Sequence, residues 1–124
     1  MDGILLRRGT SLTYNPPAYE FVEAPLFTRL VLHYLSDDEY AELQSHLNAH
    51  PEAGSVVPGS GGVRKVRWGT SGKGKRGGVR VIYYLRSKRG QIWMLTIYPK
   101  NVREDVPAQA LKQMKEVIDA EEKD

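Results

Sequence analysis

The sequence predicts an α+β domain: a small antiparallel sheet, formed by an N-terminal strand plus a three-strand meander, flanked by N-terminal helices and a C-terminal helix. Three observations lead there. Strand-forming runs at 63–68, 79–87 and 91–98 follow one another at hairpin spacing, joined by "GTSGKGKRGG" and "SKRG". Ahead of them, "LSDDEYAEL" carries a complete helix-start signal. Behind them, Leu111, Met114 and Ile118 recur at helical spacing and leave an apolar stripe that a sheet must cover.

Residues 1–18 mix arginine, glycine, proline and polar side chains without periodicity, so we expect a disordered or loosely docked extension, with the domain occupying 19–124. "YEFVE" (19–23) alternates like a short strand. Pro25 suits the first turn of a helix, and Phe27, Leu30, Val31 and Tyr34 continue with helical period, although a second strand fits this apolar segment too. Ser36 and Glu39 make a capping box, Leu35 and Tyr40 a hydrophobic staple, and Asp37 and Asp38 favour the positive end of the helix dipole. Tyr40, Leu43 and Leu47 mark the buried stripe, and Pro51 halts the helix. His46 and His50 lie one turn apart and read as exposed surface side chains, because no third ligand accompanies them. After the turn "PGSGG" (58–62), alternation sets the faces of the meander. Lys65 and Arg67 share one face of their strand and Val66 and Trp68 the other. Arg80 opposes Val79 and Val81. In the last strand Met94, Thr96 and Tyr98 oppose Trp93, Leu95 and Ile97.

At 124 residues the chain has room for one modest core. It contains no cysteine, which excludes disulfides and thiolate metal sites. The opening "MDGILLRRGT" has too short an apolar stretch for a signal peptide, and no segment approaches the ~20 apolar residues of a membrane span. A cytoplasmic protein without membrane contact is expected. The formal net charge of +3 conceals a strong asymmetry. Residues 53–103 hold 12 Lys or Arg and no Asp or Glu, leaving 6 basic and 15 acidic residues for the rest of the chain. A carboxylate-free stretch that spans three strands points to a polyanion-binding surface rather than a merely solvated loop.

The segment "GTSGKGKRGGVRVIYY" (69–84) fits G-x-x-x-x-G-K and then fails as a nucleotide-binding loop. Arg76 stands where Ser or Thr must ligate magnesium, and "VRVIYYL" forms a strand where a helix should open. What the segment does supply is cations, namely Lys73, Lys75 and Arg76, between strands that carry Lys65, Arg67 and Arg80. Crowded cations repel one another unless an anion is to be bound, and their repulsion lowers lysine pKa values, which makes Lys65 or Lys75 a conceivable proton acceptor. Tyr83, Tyr84, Trp93 and Tyr98 interleave with these charges; aromatics of this kind stack on unpaired bases, though Trp93 and Tyr83 fit core positions better. The helices are not the basic elements, so duplex DNA is not the expected ligand.

The runs "GSGGVRKVRW", "GKGKRGGVRVIYY" and "IWMLTIYPKN", with "FVEAPLFTRLVLHYLSDDEYAELQSHLNAHPEAG", resemble the HigB-like branch of the RelE superfamily, the toxins of type II toxin–antitoxin modules. The resemblance extends over 21–118. It implies a small sheet flanked by helices and ribosome-dependent cleavage of messenger RNA in the A site of the 30S subunit. It also implies neutralisation by a cognate HigA-like antitoxin, with DNA contacted only indirectly through the antitoxin complex. The chemistry so implied is attack of an RNA 2′-hydroxyl on the adjacent phosphate, with no metal or other cofactor. Arg80 matches the arginine that contacts the scissile phosphate in such toxins, and Lys65 and Arg67 match the basic pair of the preceding strand. Tyr98 is the candidate for stacking or proton transfer. Arg64, Lys73, Lys75, Arg76 and Lys100 are candidate RNA-binding residues, with Arg64 expected on the face opposite Lys65. Residues 53–103 contain no His, Asp or Glu, the C-terminal helix has no Tyr or His, and Asn101 stands where RelE proper carries a further arginine. The general base is therefore open among Lys65, Lys75 and Tyr98. A non-catalytic RNA- or ribosome-binding regulator, or an adaptor docking an acidic partner, would use the same basic surface.

Overall fold

Three consecutive antiparallel strands set the frame in the computed structural model, which describes residues 18–70, 74–100 and 106–121. In chain order the elements are β1 (Glu20–Glu23), α1 (Pro25–Tyr34), α2 (Asp37–Ala49), β2 (Ser55–Val56), β3 (Arg64–Thr70), β4 (Gly74–Arg86), β5 (Gln91–Pro99) and α3 (Ala108–Glu121). A 3-10 turn, Ser87–Arg89, links β4 to β5 and closes on Gly90, whose φ of 67° is left-handed. The expected disorder of 1–18 lies outside the described residues, Ala18 excepted.

The fold class is α+β, with one five-stranded sheet in the order β1-β5-β4-β3-β2. The sheet is mixed rather than antiparallel throughout. β1 lies parallel to β5, pairing Phe21 with Ile92 and Glu23 with Met94. A parallel neighbour requires a long crossover, and the two helices and three strands between β1 and β5 supply it. The segment 25–34, for which helix and strand both fitted, is helix, with proline at its start. The capping box of α2 forms as expected: Ser36 Oγ accepts from the Glu39 amide at 3.1 Å and Glu39 Oε1 accepts from the Ser36 amide at 2.8 Å.

Two departures from simple alternation matter for the site. First, "GTSGKGKRGG" is not a loop between short strands. β4 begins at Gly74, and Thr70 pairs with Gly74, so the hairpin extends well past the apolar run. Glycine gives no strand signal of its own, but here cross-strand hydrogen bonding overrides propensity. Second, the β4–β5 register shifts between Ile82 and Tyr83: Ile82 pairs with Thr96 while Tyr83 pairs with Met94. Leu95 is thus an extra residue, and the faces expected for β5 do not hold along its length. Met94 and Ile97 join one core cluster, whereas Leu95 and Tyr98 join the other.

Those clusters lie on the two faces of the sheet. On one, Phe27 and Val31 of α1 and Leu43 and Leu47 of α2 pack with Val79, Val81 and Tyr83. On the other, Leu111 and Ile118 of α3 cover Val63, Ile82 and Leu95. Further along α3, Asp119 accepts from the Tyr84 hydroxyl at 3.1 Å and pairs with Lys115 at 2.9 Å and with Arg86 at 3.3 Å. The helix is thereby pinned over the half of the sheet that holds Val63, Tyr84 and Trp93. Elsewhere on this face Arg67 is exposed and Arg80 half-buried.

The turn before β3 is fixed by a buried serine. Ser60 Oγ donates to the Val57 carbonyl at 2.6 Å and accepts from the Val63 amide at 3.0 Å, with Gly59, Gly61 and Gly62 at φ between 81° and 108°. Behind β3, fully buried Tyr83 donates to the Pro51 carbonyl at 2.8 Å and accepts from the Gly54 amide at 2.9 Å. A Cβ on Gly54 would sit 2.9 Å from Tyr83 Cε1 and from the Lys65 carbonyl oxygen, so only glycine lets this loop lie against β3.

Tyr83→Phe strands one buried donor and one acceptor, and should destabilise the fold by roughly 1–3 kcal/mol in urea unfolding. Burial acts to raise the Asp119 pKa, but the Lys115 and Tyr84 hydrogen bonds and the Lys115 and Arg86 charges outweigh it and hold the carboxyl below its ordinary value. A depressed native pKa stabilises above the unfolded-state value of about 3.9, and that stabilisation disappears as pH falls through the native value. Asp119→Asn should therefore cost about 1 kcal/mol at neutral pH and flatten the loss of stability below about pH 4.

Candidate functional site

The hairpin register builds the site. Arg67 of β3 is the direct cross-strand partner of Arg80 of β4, and Arg80 is in turn the partner of Tyr98 of β5. One row along, Lys65 pairs with Ile82 and Ile82 with Thr96. Paired residues share a face and lie within about 5.5 Å at Cβ. Lys65, Arg67 and Arg80 therefore stand together, on the face that α3 packs against. Arg67 is exposed, while Lys65 and Arg80 are half-buried.

Two like charges directly opposite on a sheet oppose folding. Among the described residues no carboxylate pairs with Arg67 or Arg80. The arrangement concentrates like charge on neighbouring strands. It borders a cleft of about 280 Å³ lined by Arg67, Trp68, Gly69, Gly78, Val79, Arg80 and Lys100. Gly69 and Gly78 give its wall no side chains, and the β3–β4 register shifts between Trp68 and Thr70, so the strand bends there. Lys100 is carried to the rim by the end of β5, where Val79 pairs with Pro99 and the Lys100 amide donates to the Gly78 carbonyl at 3.3 Å. Arg67, Arg80 and Lys100 thus place three cations around one small concavity. Among the described residues there is no group of three His, Asp or Glu side chains able to hold a metal ion.

Other candidates from the sequence are placed differently. Arg64 stands with Val66 on the opposite face, and its Nη1 donates to the Gly54 carbonyl at 2.7 Å and to the Glu52 carbonyl at 3.3 Å. It ties the loop after α2 to β3 and lies away from the other cations. Tyr98 shares the arginine face, but its ring is only 6% exposed, packed in the cluster under α3. Lys75 and Arg76 belong to β4, continuing the hairpin beyond the cleft. Lys73 lies outside the described residues. Arg86 is drawn to Asp119 at the far end of the same face.

Sequence reasoning missed a ring contact between α2 and β3. The His46 ring stacks on Trp68 with centroids 5.2 Å apart, and His50 follows at 5.4 Å from His46. His46 is half-buried rather than exposed, because the Trp68 indole covers it. A signal was available: His46 lies three residues after Leu43 and next to Leu47, on the flank of the buried stripe of α2. Trp68 stands between an arginine and a glycine, just before the β3–β4 register shifts.

Comparison of the sequence with protein-family models gives no match. The fold is that of RelE toxins. The isolated E. coli RelE toxin superposes with a TM-score of 0.51 at 16% identity, covering 78% of this chain and 99% of that one. A doubly substituted E. coli RelE in the free state gives 0.50 at 13% identity, over 80% of this chain and 98% of that one. The archaeal toxin in a RelE–RelB complex from Pyrococcus horikoshii gives 0.50 at 17%, over 70% of this chain and all, 100%, of that one.

Removing one of two facing cations relieves repulsion. Arg67→Ala should leave thermal stability unchanged or raise it by about 0.5 kcal/mol at low salt, with the difference vanishing at high salt. A marked loss of stability would mean that Arg67 serves the fold.

Proposed function

We propose that this protein is the toxin of a type II toxin–antitoxin module and cleaves messenger RNA on the ribosome, as a HigB-like member of the RelE superfamily. One observation carries the reading: on a RelE-like fold, Arg67 and Arg80 face each other across β3 and β4, with Lys65 one row away and Lys100 at the cleft rim.

The cations suit a reaction in which negative charge grows. The 2′-oxygen of a ribose attacks the adjacent phosphorus and the bond from phosphorus to the 5′-oxygen breaks. The products are a 2′,3′-cyclic phosphate and a 5′-hydroxyl. The 2′-hydroxyl proton leaves to a base and the 5′-oxygen gains a proton, so no metal or cofactor enters the balance. Fixed guanidinium groups stabilise the charge-rich transition state more than the ground state. In this scheme Arg80 and Arg67 hold the phosphate oxygens, and Lys100, Lys73, Lys75 and Arg76 guide the strand. Lys65, half-buried beside Arg67 on the same face, is better placed than the packed Tyr98 ring to exchange a proton with substrate. The messenger is presented in the ribosomal A site and cut there, and a HigA-like antitoxin neutralises the toxin in the resting cell. No helix among the described residues is long and apolar enough to cross a membrane.

Expression of the wild-type chain should arrest growth and produce new 5′ ends within codons in primer extension. Arg80→Ala should abolish the arrest while leaving the fold intact, since a charge-assisted phosphate contact is worth roughly 1.5–3 kcal/mol, or one to two decades in rate. Growth arrest without new 5′ ends favours the non-catalytic ribosome-binding reading. Full toxicity of Arg80→Ala at equal expression rejects the site.

A further inference from the structure

β3 is longer than the strand that covers it. β2 pairs Ser55 with Lys65 and Val56 with Arg64, and beyond Lys65 no strand among the described residues lies on that side, although β3 runs on to Thr70. The chain ahead of β2 turns away at Gly54, whose amide donates to the Tyr83 hydroxyl at 2.9 Å. Arg67 and Gly69 are exposed where the cover ends. The ladder also fixes where the main chain points. The Val63 carbonyl accepts from the Val57 amide at 2.8 Å, so Val63, Lys65 and Arg67 all turn their amides and carbonyls toward the β2 side. At Arg67 that side is an open sheet edge among the described residues.

Side chains decide what this edge accepts. Arg67 stands on one face with Arg80 as its partner, while Val66 and Trp68, both half-buried, stand on the other with the α1–α2 core. A strand laid against 66–68 therefore meets a cation on one face and apolar side chains on the other. A carboxylate opposite Arg67 gains a cross-strand ion pair and offsets the repulsion from Arg80, whereas a neutral or basic residue does neither. A second copy of β3 is disfavoured on the same ground, since a two-fold axis at Arg67 would set two Arg67–Arg80 pairs side by side. Charge commonly guards sheet edges against unwanted pairing, and a guard of one sign still admits a strand of the other.

We propose that the β3 edge at 66–68 receives a strand from a partner protein: an extended segment that alternates apolar and acidic side chains, with Asp or Glu opposite Arg67. Main-chain hydrogen bonds to Arg67 supply the affinity, and the carboxylate supplies the choice of partner. The added strand also closes one side of the cleft, because Arg67 and Gly69 line it. Its effect on function rests on the reading of the cleft as an RNA site: the carboxylate competes with phosphate for Arg67 and silences the protein. The strand addition itself does not depend on that reading.

The probe is a short synthetic peptide of alternating valine and glutamate, with counterparts that carry glutamine or lysine in place of glutamate. Each is titrated into the isotope-labelled full chain at low salt and followed by NMR. The glutamate peptide should slow hydrogen exchange of the Arg67 amide about tenfold near saturation. It should bind about fivefold more tightly than the glutamine peptide, with the lysine peptide weakest and the differences shrinking at high salt. Arg67→Ala should erase the preference for glutamate over glutamine while main-chain pairing keeps some binding. Methylating the valine nitrogens in one peptide and the glutamate nitrogens in another blocks one edge of the added strand at a time, so one of the two should lose binding and the other keep it. The glutamate peptide should also displace short 2′-O-methyl RNA oligomers. Protection that appears away from Arg67, equal binding of the glutamate and lysine peptides, or equal binding of the two methylated peptides overturns the strand addition. Pairing at Arg67 without displacement of RNA overturns the closing of the cleft. Peptide binding without new messenger 5′ ends in cells rejects the catalytic reading and leaves this inference standing; new 5′ ends without peptide binding do the reverse.

Discussion

The placement of Arg67 directly opposite Arg80 is the constraint around which the working end of this molecule is arranged. Folding alone gives no reason to set two guanidinium groups side by side, and their mutual repulsion must be offset by other contacts. The offset comes from both faces of the sheet. On one, Tyr83 and Arg64 fasten the segment after α2 to the middle strands through backbone carbonyls. On the other, Asp119 gathers Tyr84, Arg86 and Lys115 and clamps α3 to the opposite end. Among the described residues, these anchors lie away from the cation pair.

This division of labour also explains why the basic residues of 53–103 are not equivalent. Arg64 and Arg86 work as hydrogen-bond donors and ion-pair partners within the fold. Arg67, Arg80 and Lys100 surround a concavity whose glycine wall lets a backbone come close. Charge composition marks the region, and register selects the members that stand together.

Much of this was legible in the sequence, for identifiable reasons. The capping box of α2, the helical stripe of α3 and the meander are encoded locally, by side chains within a few positions of one another, and local signals survive in the folded chain. The common face of Lys65, Arg67 and Arg80 followed from strand alternation, because no bulge intervenes in β3 or in β4 between those residues. Alternation failed in β5, where Leu95 is an inserted residue that only the partner strand's register reveals. The parallel pairing of β1 was hidden for the same reason: it is a property of the long crossover rather than of "YEFVE". The stack of His46 on Trp68 joins positions 22 residues apart on different elements, and no periodicity within either element encodes it. Gly74 concealed the extension of β4, since its pairing with Thr70 of β3 has no signal in glycine itself.

The most direct test of the central claim is to see where the RNA phosphate lies. A cryo-electron microscopy structure of the protein on a ribosome programmed with 2′-O-methylated messenger would trap the complex before cleavage. The expected result is a messenger phosphate held between the guanidinium groups of Arg67 and Arg80, with Lys100 at its flank. A messenger backbone that passes the molecule elsewhere, leaving that pair facing solvent, would contradict it.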